Sequence, residues 1–226
     1  MFSPTAFFSL DAFKHREIFS ELLFVWLALK NLPEYLQSLS LGEVLAPCER
    51  GVFLQNPETV SIGEGTVIEP GTYIRGPCVI GRNCLIRHGA YIRENVLVGD
   101  RCVIGHATEV KHSILLDGAR AAHFAFVGDT ILGNDVNLGA GVKCANLRLD
   151  GQAVQIRHQE ETIGTGLRKL GAVLGDASQV GCNAVLNPGT LVGRGAKCCP
   201  NTTVGGVVGA GTLVRREQKQ WVEQDR

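Results

Sequence analysis

The sequence predicts a mainly β protein, a solenoid in which short parallel strands stack along one axis. Aliphatic residues recur at every sixth position over two long runs. Glycine accounts for 28 of the 226 residues, well above the average of about 7%, and aromatic residues make up only 6%. A period of six matches neither an α-helix nor simple strand alternation, and it indicates a strand and a turn that repeat.

The six-residue period defines the predicted strands. The first run is Ile62, Ile68, Ile74, Ile80, Ile86, Ile92, Val98, Ile104 and Val110. The second run is Leu174, Val180, Leu186, Val192, Cys198 and Val204. We expect each of these residues to point into the solenoid. The phase slips around 115–131 and the pattern vanishes between 146 and 170, which predicts an external, functional loop at about 147–172.

The residues before the repeat have a helical pattern. Ile18, Leu22, Val25 and Leu29 share one helix face across 11–30. Pro33 is expected to end that helix, and a short second helix is expected to open at 33–36. The predicted organisation is therefore a helical cap segment (1–58), a solenoid (59–214) and a charged tail (215–226). A cap over the exposed first coil is one interpretation, because solenoid ends need covering. A docking helix for another protein is the other.

Charge and hydropathy narrow the classes of partner. Lys plus Arg and Asp plus Glu each total 22, and this balance argues against nucleic acid or an anionic membrane as a partner. The most apolar run, 22–29, is too short for a bilayer that needs about 20 residues. No signal peptide opens the chain, so we expect a cytoplasmic protein whose eight cysteines are reduced thiols.

The repeat over about 60–214 resembles the hexapeptide-repeat acyltransferases. Their fold is a left-handed parallel β-helix with three hexapeptides per triangular coil, so residues 18 apart stack at about 4.8 Å. More specifically, 121–129 (AAHFAFVGD), 134–141 (NDVNLGAG) and 165–172 (TGLRKLGA) resemble the acetyltransferase domain of archaeal-type glucosamine-1-phosphate N-acetyltransferases. That domain is usually the C-terminal half of a fusion with a nucleotidyltransferase, whose glycine-rich nucleotide loop the first 60 residues lack.

The resemblance implies a catalytic base and a phosphate site. The family's catalytic histidine falls on His123, and its phosphate-binding arginine and lysine fall on Arg93 and Lys111. The spacing of 18 independently predicts that these two cations stack, with Arg75 extending the ladder. An anion between stacked cations would relieve their repulsion. A solvated basic edge is the other interpretation.

The resemblance also implies the rest of the site. Glu109 falls on the acidic residue near the substrate amine, and Asn137 and Asn146 fall on substrate-contacting asparagines. Gly139, Ala140 and Gly141 fall on the backbone that lies along acetyl-CoA, where small residues permit close approach. The implied co-substrate is therefore acetyl-CoA.

Three positions depart from the family pattern. Phe126, in a substrate-binding position, stands where the family usually has tyrosine. Gln152 and Gln155 stand where archaeal-type members carry lysine, which weakens the case for a phosphorylated substrate. A second interpretation therefore stays open: a non-catalytic scaffold or regulatory subunit that binds a separate nucleotidyltransferase through the helix at Phe7–Leu29.

The histidines raise one more possibility. His88 and His106 are 18 apart, and stacked histidines resemble those of gamma-class carbonic anhydrases, which bind zinc between subunits. A metal site needs three converging ligands with fixed geometry, so surface histidines without a metal are the expectation.

The preferred function is an acetyl-CoA-dependent N-acetyltransferase for nucleotide-sugar biosynthesis. Its acceptor would be an amino sugar phosphate, such as glucosamine 1-phosphate, or a sugar nucleotide. The resemblance implies a homotrimer with the site between neighbouring subunits.

Overall fold

The chain forms a three-sided parallel β-helix. The structure is a computed structural model that describes residues 2–215; all but the first residue of the predicted tail lies outside the described residues. Three sheets of eight strands run along the axis, and all pairings within them are parallel. The predicted parallel β-helix is confirmed.

The strands are numbered in chain order and grouped by face. Face 1 contains β1 (Phe53–Gln55), β4 (Tyr73–Arg75), β7 (Tyr91–Ile92), β10 (Glu109–Lys111), β13 (Phe126–Gly128), β16 (Lys143–Cys144), β21 (Val185–Leu186) and β24 (Thr203–Val204). Face 2 contains β2 (Val60–Ile62), β5 (Cys78–Ile80), β8 (Val96–Val98), β11 (Ser113–Leu115), β14 (Ile131–Leu132), β19 (Ala172–Leu174), β22 (Thr190–Val192) and β25 (Val207–Val208). Face 3 contains β3 (Val67–Ile68), β6 (Leu85–Ile86), β9 (Val103–His106), β12 (Arg120–His123), β15 (Asn137–Leu138), β20 (Gln179–Val180), β23 (Lys197–Cys198) and β26 (Leu213–Val214).

The predicted inward positions form the core. Every aliphatic residue of the first run, from Ile62 to Val110, is buried, and so is every member of the second run from Leu174 to Val204. Each stacks on its equivalent in the next coil, as Ile74 does on Ile92 and Ile92 on Val110. The hydrophobic effect therefore favours this register, because a slip of one residue would expose the whole row.

The phase slip is a change in coil length. From Val60 to Val110 the coils are 18 residues long, as in the pairings of Val60 with Cys78 and of Ile92 with Val110, whereas Leu54 pairs with Ile74, 20 residues later. The next two coils are one residue shorter, because Val110 pairs with Val127 and Val127 with Cys144. The first contraction falls in the turn after β10, where His112 adopts a positive φ of 44°.

The predicted external loop contains structure of its own. The chain leaves the solenoid after β16 and forms an antiparallel hairpin of β17 (Gln155–His158) and β18 (Glu161–Gly164). Leu147 and Lys169 pair at its base. Val154 and Ile156 are buried, so this excursion packs against the body of the protein.

The N-terminal segment differs from the predicted helix over 11–30. It contains a short α1 (Pro4–Phe7), a 3-10 turn at Arg16–Phe19 and α2 (Leu27–Ser38). Pro33 lies inside α2, so the prediction that it ends a helix is wrong. Because proline lacks an N–H, the carbonyl four residues earlier, on Leu29, loses its helical donor. Burial lowers the pKa of the nearby His112, and the Leu29 carbonyl partly offsets that effect.

The same segment covers face 2 along its length, whereas the sequence predicted a cap over the first coil. Its aromatic side chains share one buried cluster with six outward-facing residues of face 2, to which the excursion also contributes: Val79, Leu97, Ile114, Ile131, Val173 and Leu191. Phe8, Trp26 and Leu29 are almost fully buried in this layer. The docking-helix interpretation is therefore wrong for this apolar surface, because the chain's own solenoid occupies it. Solenoid pairing begins before residue 59, with Val44 beside Ile62.

Within residues 2–215, no helix has both the length and the apolar character needed to cross a bilayer.

Candidate functional site

Lys111 lies in a half-buried polar cluster where face 1 turns into face 2. Its Nζ is 3.2 Å from Oδ2 of Asp129, and the two side chains are 14% and 8% exposed. Asn146 Nδ2 donates to the same Asp129 oxygen. Asp129 therefore holds the ammonium of Lys111 and the amide of Asn146 together. Two predicted site residues, Lys111 and Asn146, are thus adjacent because both bind Asp129. Sequence analysis did not include Asp129 among the candidates.

Arg93 belongs to a second group on the same edge. Its Nη1 donates to Glu109 Oε1 at 3.0 Å, and its Nη2 is 3.8 Å from Glu94. Glu94 also lies 3.6 Å from Arg75. The hydrogen bond to Glu109 raises the pKa of Arg93, so this guanidinium stays cationic.

The strand register confirms that the cations stack as predicted, but the predicted repulsion between them is offset by neighbouring carboxylates. Because Ile74, Ile92 and Val110 stack in register, the cations that directly follow them stack as well: Arg75, Arg93 and Lys111. Carboxylates from Glu94, Glu109 and Asp129 stand beside them. The unrelieved repulsion that predicted a bound anion is therefore absent, and the edge offers both charge types at close range.

Phe126 and Glu109 lie on the outward side of face 1 beside this edge. They are direct neighbours in the sheet, and Phe126 is followed in the next coil by Lys143. A Cβ at Gly128 would lie 2.7 Å from Phe126 Cζ and 2.9 Å from Asn146 Nδ2, so a larger residue there would displace these two side chains. The structure thus brings Glu109, Phe126 and Asn146 together with Lys111.

His123 lies at the other edge of face 1, at the corner where face 3 turns into it. It is in register with His106, and its side chain is exposed. His106 stacks on His88 with ring centroids 5.6 Å apart, as the spacing of 18 predicted. His88 Nδ1 and His106 Nδ1 lie 2.6 and 3.0 Å from backbone carbonyls, which only accept. Each Nδ1 therefore donates, and each neutral ring keeps its lone pair on Nε2.

One protomer does not bring His123 to the Lys111 cluster. Lys111 is in register with Gly128, five residues after His123. At about 3.3 Å per residue, on the order of 15 Å of chain separates the two edges. Asn137 is also apart, since it lies on face 3 in register with Arg120 and Gln179.

The segment Gly139–Gly141 lies at the same corner as His123, one coil further along. A Cβ on Gly139 would come within 2.7 Å of the Cys182 nitrogen. Gly141 has φ of +74° and donates its N–H to the His123 carbonyl at 3.0 Å. Coil stacking therefore accounts for Gly139 and favours glycine at 141, and the presence of these glycines is not by itself a sign of coenzyme A. Ala140 between them leaves a shallow, half-exposed strip.

The two glutamines that replace family lysines lie on the external excursion. Gln152 donates its backbone N–H to Asp150 at 3.1 Å, and Arg148 forms a two-pronged ion pair with the same carboxylate. Gln155 begins β17. The guanidinium of Arg148 is thus already paired.

Within the part of the chain that the structure describes, no group of three His, Cys, Asp or Glu side chains is arranged to hold a metal ion.

Comparison with known proteins supports the expected relationship. The family model described as "GMPPB C-terminal domain" matches residues 74–166. Over 101 residues, 45% of this chain, it is 38% identical to the bifunctional sugar-1-phosphate nucleotidylyltransferase/acetyltransferase of Sulfurisphaera tokodaii, of which the match covers 25%. Over 94 residues, 40% of this chain, it is 33% identical to the bifunctional protein GlmU of Methanococcus aeolicus, of which it covers 23%. The chain thus spans about a quarter of the length of these relatives.

Solved structures give a weaker likeness. UDP-N-acetylglucosamine acyltransferase from Campylobacter jejuni is 15% identical, with a TM-score of 0.38, and the match covers 76% of this chain and 70% of that one.

The matched coils contain His123, Lys111 and Phe126, and the expected resemblance is confirmed. The chain therefore carries a hexapeptide-repeat domain that resembles the C-terminal domain of the bifunctional sugar-1-phosphate nucleotidylyltransferase/acetyltransferases.

Proposed function

We propose that this protein is an acetyl-CoA-dependent N-acetyltransferase that acts on an amino sugar phosphate. The observation that carries the proposal is the paired arrangement on one edge of face 1, where Lys111 and Arg93 each lie beside a carboxylate. An amino sugar phosphate carries an ammonium and a phosphate. A site with both charge types can hold both groups, whereas a purely basic edge would attract the phosphate alone.

Each proposed substrate contact follows from a residue of this cluster. Arg93 and Lys111 would receive the phosphate, and Glu109 would receive the substrate ammonium. Asn146 would orient a sugar hydroxyl with its amide, since Asp129 already fixes that side chain. Phe126 would pack against the apolar side of the sugar ring in place of the family's tyrosine.

The proposed reaction is a direct transfer in which His123 acts as the general base. The bound substrate ammonium first gives up one proton to water. The lone pair of the neutral amine that remains attacks the thioester carbonyl carbon, and a new C–N bond forms. His123 accepts a proton from the nitrogen, the C–S bond breaks, and the departing thiolate takes a proton to become free coenzyme A. Histidine suits this role because it exchanges protons near neutral pH. The exposed ring of His123 is accessible to substrate.

A homotrimer is part of the proposal, because His123 and Lys111 lie on opposite edges of face 1. A second protomer could present its His123 edge to the Lys111 edge of the first. An exposed aromatic ladder on face 1 supports such a contact: Phe53, Tyr73 and Tyr91 are exposed, and successive ring centroids are 6.4 and 5.5 Å apart. Contiguous exposed apolar surface of this kind is typical of an interaction site.

The test is a thiol-release assay with acetyl-CoA and glucosamine 1-phosphate. We expect turnover by the wild-type protein, and a decrease of at least 100-fold in kcat for His123→Ala, in line with the usual contribution of a general base. His88→Ala is the matched control: it lies in the same column of histidines two coils away, and its kcat should stay unchanged. Equal rates of thiol release from wild type and His123→Ala would contradict the assignment of the base.

The same assay separates the enzyme from the scaffold interpretation. Absence of turnover with any amino sugar phosphate, together with co-purification of a nucleotidyltransferase, would favour the scaffold. The covered apolar surface of the N-terminal segment disfavours it, because that surface was the expected contact.

A further inference from the structure

Phe124, the residue after His123, is strained and exposed. Its φ is +50°, in the left-handed region that costs a bulky L-residue on the order of 1–3 kcal/mol. Its side chain is 56% exposed, so burial of the ring does not offset that cost. Among the described residues with positive φ, it is the only phenylalanine, and no tyrosine or tryptophan shares that conformation.

A bulky residue with positive φ is unusual at this position, compared with the residues at the equivalent position in other coils. The corner between face 3 and face 1 places a residue with positive φ there in every coil: Gly71, Gly89, Ala107, Phe124, Gly141, Asn183 and Asn201. Glycine, alanine and asparagine have small side chains, and glycine and asparagine tolerate this conformation well. The fold therefore does not require a large ring at 124. A strained residue that the fold does not need indicates a functional role.

The surroundings of the ring suggest what that role is. The Phe124 ring packs edge-on against His106, with centroids 5.0 Å apart, and so lies toward the preceding coil. In the following coil, the corner carries only Ala140 and Gly141. Small residues therefore flank His123 on the side of the following coil, and the phenyl ring lies on the side of the preceding coil, beside His106.

We propose that Phe124 is a specificity-determining residue for the acyl group, and this inference rests on the proposed function. The acyl donor lies along the strip at Ala140 and Gly141, with its thioester beside His123. The methyl end of the acetyl group meets the Phe124 ring, which leaves no room for a longer chain. The fixed backbone and the contact with His106 make the ring a rigid wall, which a size-selective pocket needs.

The experiment compares acetyl-, propionyl- and butyryl-CoA as donors, in turnover and in equilibrium binding. In wild type, each added methylene should lower kcat/KM by about tenfold or more. Phe124→Asn should raise the kcat/KM ratio of propionyl- to acetyl-CoA by about tenfold, and should tighten butyryl-CoA relative to acetyl-CoA in titrations. Its melting temperature should stay the same or rise by about 2–4 °C, since asparagine relieves the strain.

Two control variants distinguish the effect of the aromatic ring at 124 from the effect of a substitution at this corner of the coil. Phe124→Tyr keeps the ring and should keep the wild-type donor preference. Ala107→Asn changes the equivalent position one coil earlier, where φ is +49°, and should leave the preference unchanged.

Each remaining outcome overturns a distinct statement. Turnover with unaltered donor preference in Phe124→Asn would overturn this inference and leave the proposed function intact. Altered binding preference without turnover by any protein would contradict the proposed function alone. Dissociation of the oligomer in Phe124→Asn would assign the ring to a contact between copies, and lack of binding to any acyl-CoA would contradict both proposals.

Discussion

Asp129 determines whether the cluster around Lys111 is stable. Its carboxylate accepts from both Lys111 and Asn146 and is only 8% exposed. Removal of one partner from a buried ion pair leaves the other charge without compensation, which usually costs about 3–5 kcal/mol. Because Lys111 retains some exposure, a loss near 2–3 kcal/mol is the expectation here.

We predict that Asp129→Ala lowers the melting temperature by about 4–10 °C and raises the KM for the amino sugar phosphate. Thermal denaturation and steady-state kinetics measure the two effects. Asp150→Ala is the matched control: it removes the carboxylate of the exposed pair with Arg148, and such pairs contribute little, so its melting temperature should not change. An unchanged melting temperature in Asp129→Ala would show that the Lys111 pair is not a stabilising element.

His15 links stability to pH. Burial of the His15 ring, reinforced by the positive charge of Lys14, lowers its pKa to about 4. Its Nδ1 is 3.0 Å from the hydroxyl of Tyr35. A histidine with a depressed pKa binds protons more weakly in the folded state. The unfolded state, with a pKa near 6.5, is therefore favoured as the pH falls from about 6.5 toward 4.

We predict that the unfolding free energy falls by on the order of 1–2 kcal/mol between pH 7 and pH 5 because of this group. His15→Gln keeps a polar partner for Tyr35 and does not titrate, so its stability should fall less over that interval. Denaturant titrations at both pH values measure the difference. Parallel pH profiles for the two proteins would exclude His15 as the cause.

At the scale of elements, the N-terminal segment acts as a cover for face 2. Trp26 is fully buried in this layer and stacks on Phe24 with ring centroids 4.6 Å apart. The outward residues of face 2 are apolar: Val79, Leu97, Ile114, Ile131, Val173 and Leu191. Without the segment, face 2 would expose a contiguous apolar strip along the solenoid, which would favour aggregation.

We predict that Trp26→Ala lowers the unfolding free energy by about 3–5 kcal/mol, the usual cost when a large core side chain is truncated. Leu23→Ala is the control, because Leu23 belongs to the same segment but is mostly exposed, and its stability should barely change. Chemical denaturation measures both. Equal, small losses in the two variants would mean that the segment does not stabilise the solenoid.

Prediction from sequence succeeded where one rule governs many residues and failed where a single local contact decides. The period of six correctly placed the inward side chains from Ile62 to Val110, because each must bury an aliphatic group. It could not reveal that Pro33 lies within a helix, because that helix is held by the burial of Leu29, Leu32 and Leu36 against the rest of the protein, which outweighs the local preference of proline.

The site was predictable in part for the same reason. A spacing of 18 was enough to stack Arg93 on Lys111. Of the carboxylates beside them, only Glu109 was a candidate, because Glu94 and Asp129 lie in turns, where the repeat imposes no pattern. The position of His123 on the opposite edge follows from the three-sided coil, and spacing along the chain did not show that the two edges are far apart.

At the scale of the whole molecule, the central claim is that two protomers build each site. The edge with Lys111 and Arg93 and the edge with His123 lie at opposite sides of face 1 in one chain. Face 2 is covered by the chain itself, whereas the aromatic ladder of face 1 is exposed. Association through face 1 would cover this ladder and bring the two half-sites together in a closed cyclic assembly.

The most direct test is complementation between two inactive variants. His123→Ala and Lys111→Met are purified separately, checked to be fully folded at the assay temperature, mixed in equal amounts and allowed to exchange subunits. If each site takes its His123 edge and its Lys111 edge from different protomers, about a quarter of the sites in the mixture are intact, and about a quarter of the wild-type activity should return. A mixture as inactive as its components, with subunit exchange confirmed, would show that one protomer supplies both residues and would contradict the shared site.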